Sequence, residues 1–352
     1  MNNIYLRIIG QETGNKSLAI ATVIETLGST PRKHGSSALF GTNGLIAGTV
    51  GGGVLEGKVQ QLAQKNILSG ESGVYNFSLD NEIASKNDAI CGGHVTLLID
   101  GSPADHNAVF EQIKDSLKHR ISGILVTIVS GKEGNNKSIR RNWVTEDNRH
   151  IIKDKYSSLP GEVIEKLLSA PIPDNFVFCE LPLNSEGENS FAFLEPIFPC
   201  PRLIIAGAGH IGKALSHLGK FLDFEVTVID DRKEFANKTN LPDAENIIVN
   251  DIGKAIEKLG NYTDSYIVIV TRGHDDDAKA LRASINSGAH YIGMIGSKNK
   301  IAKMHRSFIE NGWATEKQWS AIHSPIGIDI KSKTVEEIAV SIAAQLILIR
   351  NG

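Results

Sequence analysis

Cysteine is scarce in this sequence. Cys91, Cys179 and Cys200 are the only three among 352 residues, and they stand too far apart for a disulfide framework or a zinc knuckle. A surplus of one charge is also lacking. Lys and Arg number 37 against 40 Asp and Glu, a formal net charge of −3, which excludes the basic balance of a nucleic-acid-binding chain. No apolar run approaches the roughly 18 residues that span a bilayer, so no membrane partner is expected. The opening MNNIYLRIIGQETGNK has no basic segment leading into a long apolar stretch. No secretory signal is read, and a cytoplasmic location is the expectation. The histidines lack H-E-x-x-H spacing, and no zinc site is expected. Internal repeats and low-complexity segments are missing too. What remains is an ordinary globular composition, 41% hydrophobic and 22% charged, at a length that suits two domains.

Glycine is plentiful where cysteine is not. Eight of the 34 glycines fall in the stretch Gly28 to Glu56, which opens on Gly-Ser-Thr-Pro-Arg and ends with Gly51, Gly52 and Gly53 entering an expected helix. Three bare backbone units at a helix start bring free N–H groups and the positive dipole end toward an anion. Arg32 and Lys33 could add cationic side chains. The plainer alternative is a strand pair closed by ordinary turns. A near-match to the phosphate loop, Gly52 to Val59, fails on chemistry. Val59 has no hydroxyl for magnesium, and Lys58 falls inside the helical stripe of Val54, Leu55, Val59, Leu62, Ala63 and Ile67.

Residues 1–198 mix strands and helices without a strict alternation, which reads as α+β. Expected strands are Leu18 to Thr26, Ser36 to Phe40, Leu45 to Val50, Val74 to Leu79, His94 to Ile99, Gly123 to Val129, Ile139 to Val144 with a hairpin partner near His150 to Ile152, Phe176 to Leu181 and Ser190 to Leu194. Pro196, Pro199 and Pro201 around Cys200 mark a domain boundary. From 199 to 352 the expected strands are Arg202 to Ala206, Glu225 to Ile229, Asn246 to Val249, Tyr266 to Val270 and Tyr291 to Met294. The expected helices are His210 to Phe221, Asp275 to Asn286, Lys298 to Glu310 and Thr334 to Ile349, the last opened by a capping box of Thr334 and Glu337. Strands alternating with helices of this length imply a doubly wound parallel sheet covered on both faces.

That second half carries Gly207-Ala-Gly-His-Ile-Gly212 between the apolar strand LIIA and a helix, with Asp230 ending the next strand 18 positions after Gly212. This is the context that a dinucleotide-binding Rossmann turn requires. Gly207 makes the tight turn, Gly209 admits a pyrophosphate, and Gly212 lets the helix pack closely. Asp230 accepts from a ribose hydroxyl, with Asp231 a less favoured candidate. Arg232 could instead face a 2′-phosphate. Arg272 and His274 in TRGHDDD belong at the carboxyl edge of the parallel sheet, where ligands of such sheets bind. Gly293 to Ser297 ends a strand at the same edge, with Ser297 placed to cap the following helix. Cys91, before Gly92 and Gly93, is either an exposed reactive thiol or a small apolar residue packed in a turn, and residue chemistry alone favours the second.

Together these stretches resemble the XdhC/CoxI family of accessory proteins for molybdenum hydroxylases. The resemblance lies in GSTPRKHG with GTVGGGVLEG, CGG at Cys91, IAGAGHIGKAL, TRGHDDD, YIGMIGSKNK, and HSPIGIDI followed by TVEEIAVSI. It implies a non-catalytic chaperone that binds the molybdenum cofactor (molybdopterin), assists its sulfuration and delivers it to apo-xanthine dehydrogenase or a related hydroxylase. A cysteine desulfurase is the implied second partner. The resemblance also implies that Arg32 and Gly51, Gly52 and Gly53 meet the phosphate or pterin, and that Cys91 ligates molybdenum or handles sulfur. The Rossmann half would then hold NAD(P), another dinucleotide or a nucleotide-bearing cofactor through Gly207, Gly209, Gly212, Asp230, Arg272 and His274. A homodimer is the expected assembly. The competing reading is an NAD(P)-dependent oxidoreductase, with His210, His274 or His323 as the acid–base group.

Overall fold

The computed structural model describes residues 3–9, 17–30, 32–79, 93–131, 136–149, 159–168, 175–181, 190–260 and 262–352. Cys91 and the hairpin partner expected near His150 to Ile152 lie outside the described residues. The chain divides into two compact units, Met1–Pro199 and Cys200–Gly352.

The first unit is built from α1 (Ile4–Ile9), β1 (Leu18–Gly28), β2 (Ser37–Gly41), β3 (Gly44–Gly48), α2 (Gly53–Ser69), β4 (Gly73–Ser78), β5 (Gly93–Asp100), α3 (Asn107–Lys118), β6 (Gly123–Ser130), β7 (Ser138–Thr145), α4 (Gly161–Leu168), β8 (Val177–Leu181) and β9 (Ser190–Ile197). Two antiparallel sheets result, in the orders β3-β2-β1-β5-β4 and β7-β6-β9-β8. Strand β1 is buried without a break from Leu18 to Ile24, because both of its faces are covered. Ala19, Ala21 and Val23 pack in one cluster with Leu55, Val59, Ala63 and Ile67 of α2. Leu18 and Ile20 pack with Phe110, Ile113 and Leu117 of α3 and with α1. Val54, expected in the buried stripe of α2, is instead 37% exposed. The buried face of α2 takes in Asn66, which accepts from the Tyr75 hydroxyl at 2.8 Å. A fully buried ion pair, Arg141 to Asp100, ties β7 of one sheet to β5 of the other.

The second unit runs β10 (Arg202–Ala206), α5 (His210–Phe221), β11 (Glu225–Asp230), β12 (Asn246–Val249), α6 (Ile252–Leu259), β13 (Ser265–Ile269), α7 (His274–Ser284), β14 (Tyr291–Met294), α8 (Lys298–Glu310), α9 (Glu316–Ser320) and α10 (Val335–Asn351). Its sheet is parallel throughout, in the order β12-β11-β10-β13-β14. Residues alternate between two cores. Leu203, Ile205, Val226 and Val228 pack with α5 and α10 on one face; Ile204, Ala206, Ile267 and Ile269 pack with α6, α7 and α8 on the other. This is the doubly wound Rossmann-like arrangement. Helix α6 was not among the expected elements, yet Asp251 caps it by accepting from the Lys254 N–H at 3.0 Å. The expected capping box at Thr334 and Glu337 opens α10. Strand order reverses between β10 and β13, so the ligand crevice of the unit opens above those two carboxyl ends.

Candidate functional site

The glycine turn after β10 stands at this switch point. Gly207 has φ +116°, and a Cβ there would lie 2.5 Å from the Val270 carbonyl oxygen, so only glycine lets the turn pass the end of β13. A Cβ at Gly212 would lie 1.9 Å from the Gly207 carbonyl oxygen, which makes this glycine the condition for α5 packing on the turn. Gly209 differs from both: nothing lies within 4 Å of a Cβ built on it, and it is the N-cap of α5 without any side-chain cap. Two of the three glycines serve the fold, and the third faces open space at a helix start, where an anion is favoured.

Asp230 ends β11 as expected, but its carboxylate is already committed. Oδ2 accepts from the Ala208 N–H at 2.8 Å and from Arg232 Nη2 at 2.9 Å. Oδ1 accepts from the Arg232 N–H at 3.0 Å and from Arg232 Nε at 2.9 Å. Burial alone would raise its pKa, but the Arg232 side-chain bonds and the Ala208 and Arg232 N–H groups hold it below the ordinary carboxylate value. Arg232 also lies over the Phe235 ring at 4.1 Å, so its guanidinium is fixed on both counts.

Asp231, the next residue, is exposed. Its Oδ2 lies 3.4 Å from Arg272 Nη2, and Arg272 Nε lies 3.7 Å from Asp276. Exposed pairs of this kind contribute at most about 1 kcal/mol. Asp277 shares the first turn of α7 with Asp275 and Asp276 and is fully buried; it accepts from the Thr271 hydroxyl at 2.5 Å and pairs with Lys300. His274 is the first residue of α7. With Ser297, Asn299, Lys300 and Lys303 it lines an open pocket of about 440 Å³, and Ser297 caps α8 by accepting from the Lys300 N–H.

In the first unit, three separated stretches meet at one end of the strands. Strand β1 finishes at Gly28, paired with Gly93 at the start of β5; a Cβ on Gly93 would lie 2.5 Å from the Ser29 carbonyl oxygen. The loop carrying Arg32, Lys33 and His34, all exposed, is tied back to β1 by the Gly35 N–H to Val23 carbonyl bond at 2.8 Å. The Thr49 N–H donates to the Ser37 carbonyl at 3.0 Å, which brings Gly51, Gly52 and Gly53 to the same end. Gly52 has φ +73°, and neither Gly52 nor Gly53 has anything within 4 Å of an added Cβ. No side chain caps α2. Glu56, in the first turn of α2, bonds back to the loop that enters the helix: its Oε2 accepts from the Thr49 hydroxyl at 2.6 Å and the Val50 N–H at 3.2 Å, so it holds the loop rather than acting as a base. Cys91 itself lies outside the described residues; the strand that follows it begins at Gly93. Exposed His94, opposite Leu27, also belongs to this end and carried no motif by which a sequence could single it out.

Both units have matches among known proteins. Residues 203–346 match the model of the XdhC Rossmann domain, and residues 13–78 match that of the XdhC and CoxI family. A Bacillus subtilis protein described as a probable subunit of xanthine dehydrogenase is 25% identical over 352 residues, which cover 99% of this chain and 98% of that one. The Escherichia coli protein YqeB, described as uncharacterized, is 29% identical over 153 residues, 43% of this chain and 28% of its own length. A crystal structure from Bacillus halodurans, described as a xanthine dehydrogenase, superposes with a TM-score of 0.74 at 22% identity, over 99% of this chain and 96% of that chain, and shares the fold. With its Gly28 to Glu56 stretch and its Rossmann unit each matched in order by models of one family, this chain belongs to the XdhC and CoxI family.

Proposed function

We propose that this chain serves the maturation of a xanthine dehydrogenase or related molybdenum hydroxylase by binding the molybdenum cofactor and handing it to the apo-enzyme. The family membership and the relatives described as xanthine dehydrogenase components support the coarser half of this reading. The observation that carries the finer half is the convergence at one sheet end of the Arg32 loop, the uncapped Gly52–Gly53 helix start and the strand that follows Cys91. The fit to the cofactor is chemical. Bare backbone N–H groups at a helix start, with exposed Arg32 and Lys33 nearby in the chain, suit a phosphate. A cysteine thiolate suits molybdenum as a soft ligand. When bound, the cofactor supplies a metal centre able to carry a terminal sulfido group. The protein residues hold the phosphate, present the metal and keep the loop in place through Glu56. A cysteine desulfurase as sulfur donor, a homodimeric assembly and a cytoplasmic setting complete the proposal.

The second unit is assigned a nucleotide-bearing ligand, on the strength of the open space at Gly209. An NAD(P)-dependent oxidoreductase remains the competing function for that unit. Purified protein from cofactor-replete cells decides between them. Pterin released and oxidised to its fluorescent form is expected, and Cys91→Ala is expected to lower pterin retention or hydroxylase activation while melting unchanged. Absence of pterin, with tight NADPH binding and a substrate-dependent absorbance change, overturns the chaperone reading.

A further inference from the structure

At a Rossmann turn, the ribose is held by an acid at the end of the second strand. Asp230 stands there, yet all four acceptor positions of its carboxylate are filled by Ala208 and Arg232, and its side chain is 3% exposed. Asp230 therefore anchors the turn to β11. The acid that faces outward is Asp231, 45% exposed. Its neighbours are cations: Arg272 Nη2 at 3.4 Å and Arg232 Nε at 3.9 Å. Strands β11 and β13 flank β10 on opposite sides. The Asp231–Arg272 pair therefore joins the loops on either side of the one that carries Gly207 and Gly209.

We propose that Asp231 is the ribose-reading residue of this site, and that Arg272 holds the donor position that the ribose hydroxyls take over. The inference rests on the reading that this turn binds a nucleotide. A ligand entering above Gly209 exchanges one exposed ion pair for two contacts. Its hydroxyls donate to Asp231, and its pyrophosphate pairs with the released Arg272. The ligand class follows from the charges. A nucleotide with free 2′- and 3′-hydroxyls fits, as in NAD. A 2′-phosphate would meet the Asp231 carboxylate. Arg232, the side chain that would neutralise it, is held bidentate by Asp230 and stacked on Phe235.

Calorimetric titration of the full chain with NAD+ and NADP+ tests this. The wild type is expected to favour NAD+ by about tenfold or more, the scale of a charge-assisted hydrogen bond. Asp231→Asn is expected to melt as the wild type does and to narrow that preference about tenfold, through weaker NAD+ and stronger NADP+ binding. Asp231→Glu should keep the preference. Preserved binding with an unchanged ratio in Asp231→Asn, or a wild type that favours NADP+, overturns the assignment of Asp231 alone. A wild type that binds neither nucleotide overturns the nucleotide reading of the turn, and this proposal with it.

Discussion

The two glycine turns of this chain use the same residue for different ends. At Gly207–Gly212 most of the glycine is spent on packing: a Cβ at Gly207 or Gly212 would meet backbone oxygen at 2.5 or 1.9 Å, and only Gly209 looks into open space. At Gly51–Gly53 the balance is reversed, since Gly52 and Gly53 meet nothing, and the backbone conformation and access to the helix start are what glycine supplies. A glycine-rich stretch is therefore ambiguous until the neighbours of each missing Cβ are known. One turn is a structural joint with a single open position. The other is an open surface whose support comes from elsewhere, chiefly from Glu56 bonding back to Thr49 and Val50.

The largest effect should separate the turns by stability. Gly212→Ala places a methyl group against the Gly207 carbonyl, and neither backbone segment can yield without moving α5 off the sheet. A loss of about 3 kcal/mol or more is expected in urea unfolding. Gly52→Ala meets no atom and should cost about 1–3 kcal/mol, the strain of an alanine held at φ +73° and ψ −174°, a region that glycine adopts freely and other residues do not. Equal losses at the two positions would break the comparison. Next comes Asp230→Ala, which leaves the Ala208 N–H and the Arg232 guanidinium without their acceptor, at about 3 kcal/mol. Its pH dependence has a definite sign. The folded pKa lies below the unfolded value, so the contribution is present above the unfolded carboxylate pKa of about 4. It is lost as pH falls through the folded pKa. The wild type should therefore converge on Asp230→Ala in acid-range melting curves; a constant gap down to low pH would show that the carboxylate charge is not what matters.

Much of the second unit was legible in the sequence, because its strands and helices are short, strongly periodic and set apart by glycine. The motif even fixed which glycine would be open. Helix α6 escaped notice although Ile252, Ala255, Ile256 and Leu259 follow helical spacing behind the Asp251 cap. Passing from β12 directly to β13 leaves out the crossover that two parallel strands require. Asp230 was found by position, but the filling of its carboxylate depends on where Arg232 folds back, two residues on, and no spacing rule reports that. In the first unit the individual strands were legible, and Arg32 could be set beside Gly51–Gly53, but what brings these stretches together was not. The meeting of the Arg32 loop, Gly51–Gly53 and the start of β5 follows from β5 pairing beside β1, a long-range choice that local pattern does not carry. Val54 shows the same limit on a smaller scale, since the apolar stripe does not say where a helix face leaves the sheet.

Function should part the two turns more cleanly than stability does. Gly209→Val sets its Cβ where no protein atom lies within 4 Å, so it is expected to melt near the wild type and to lose nucleotide binding by tenfold or more, about the cost of displacing a close backbone contact to pyrophosphate. It should leave pterin retention untouched. Gly52→Ala is expected to do the converse. If one substitution abolishes both ligands, the division of labour between the units is wrong.

The smallest effect concerns Arg32 and sharpens how the open surface binds. Arg32 is exposed, and bonds of its loop, from the Thr30 hydroxyl to the Arg32 carbonyl and from the Gly35 N–H to the Val23 carbonyl, hold backbone rather than its side chain, so that side chain meets a bound phosphate as a screened charge rather than as a buried partner. Arg32→Ala should weaken cofactor retention by about fivefold at low ionic strength, with the difference fading toward 0.5 M salt, where the screening length falls to about 4 Å. Arg32→Lys should restore most of it, because a point charge suffices where no bidentate geometry is imposed. A loss that persists at high salt and is not restored by lysine would instead assign Arg32 a directed, desolvated contact. The open glycine surface would then be as closely built as the Rossmann turn.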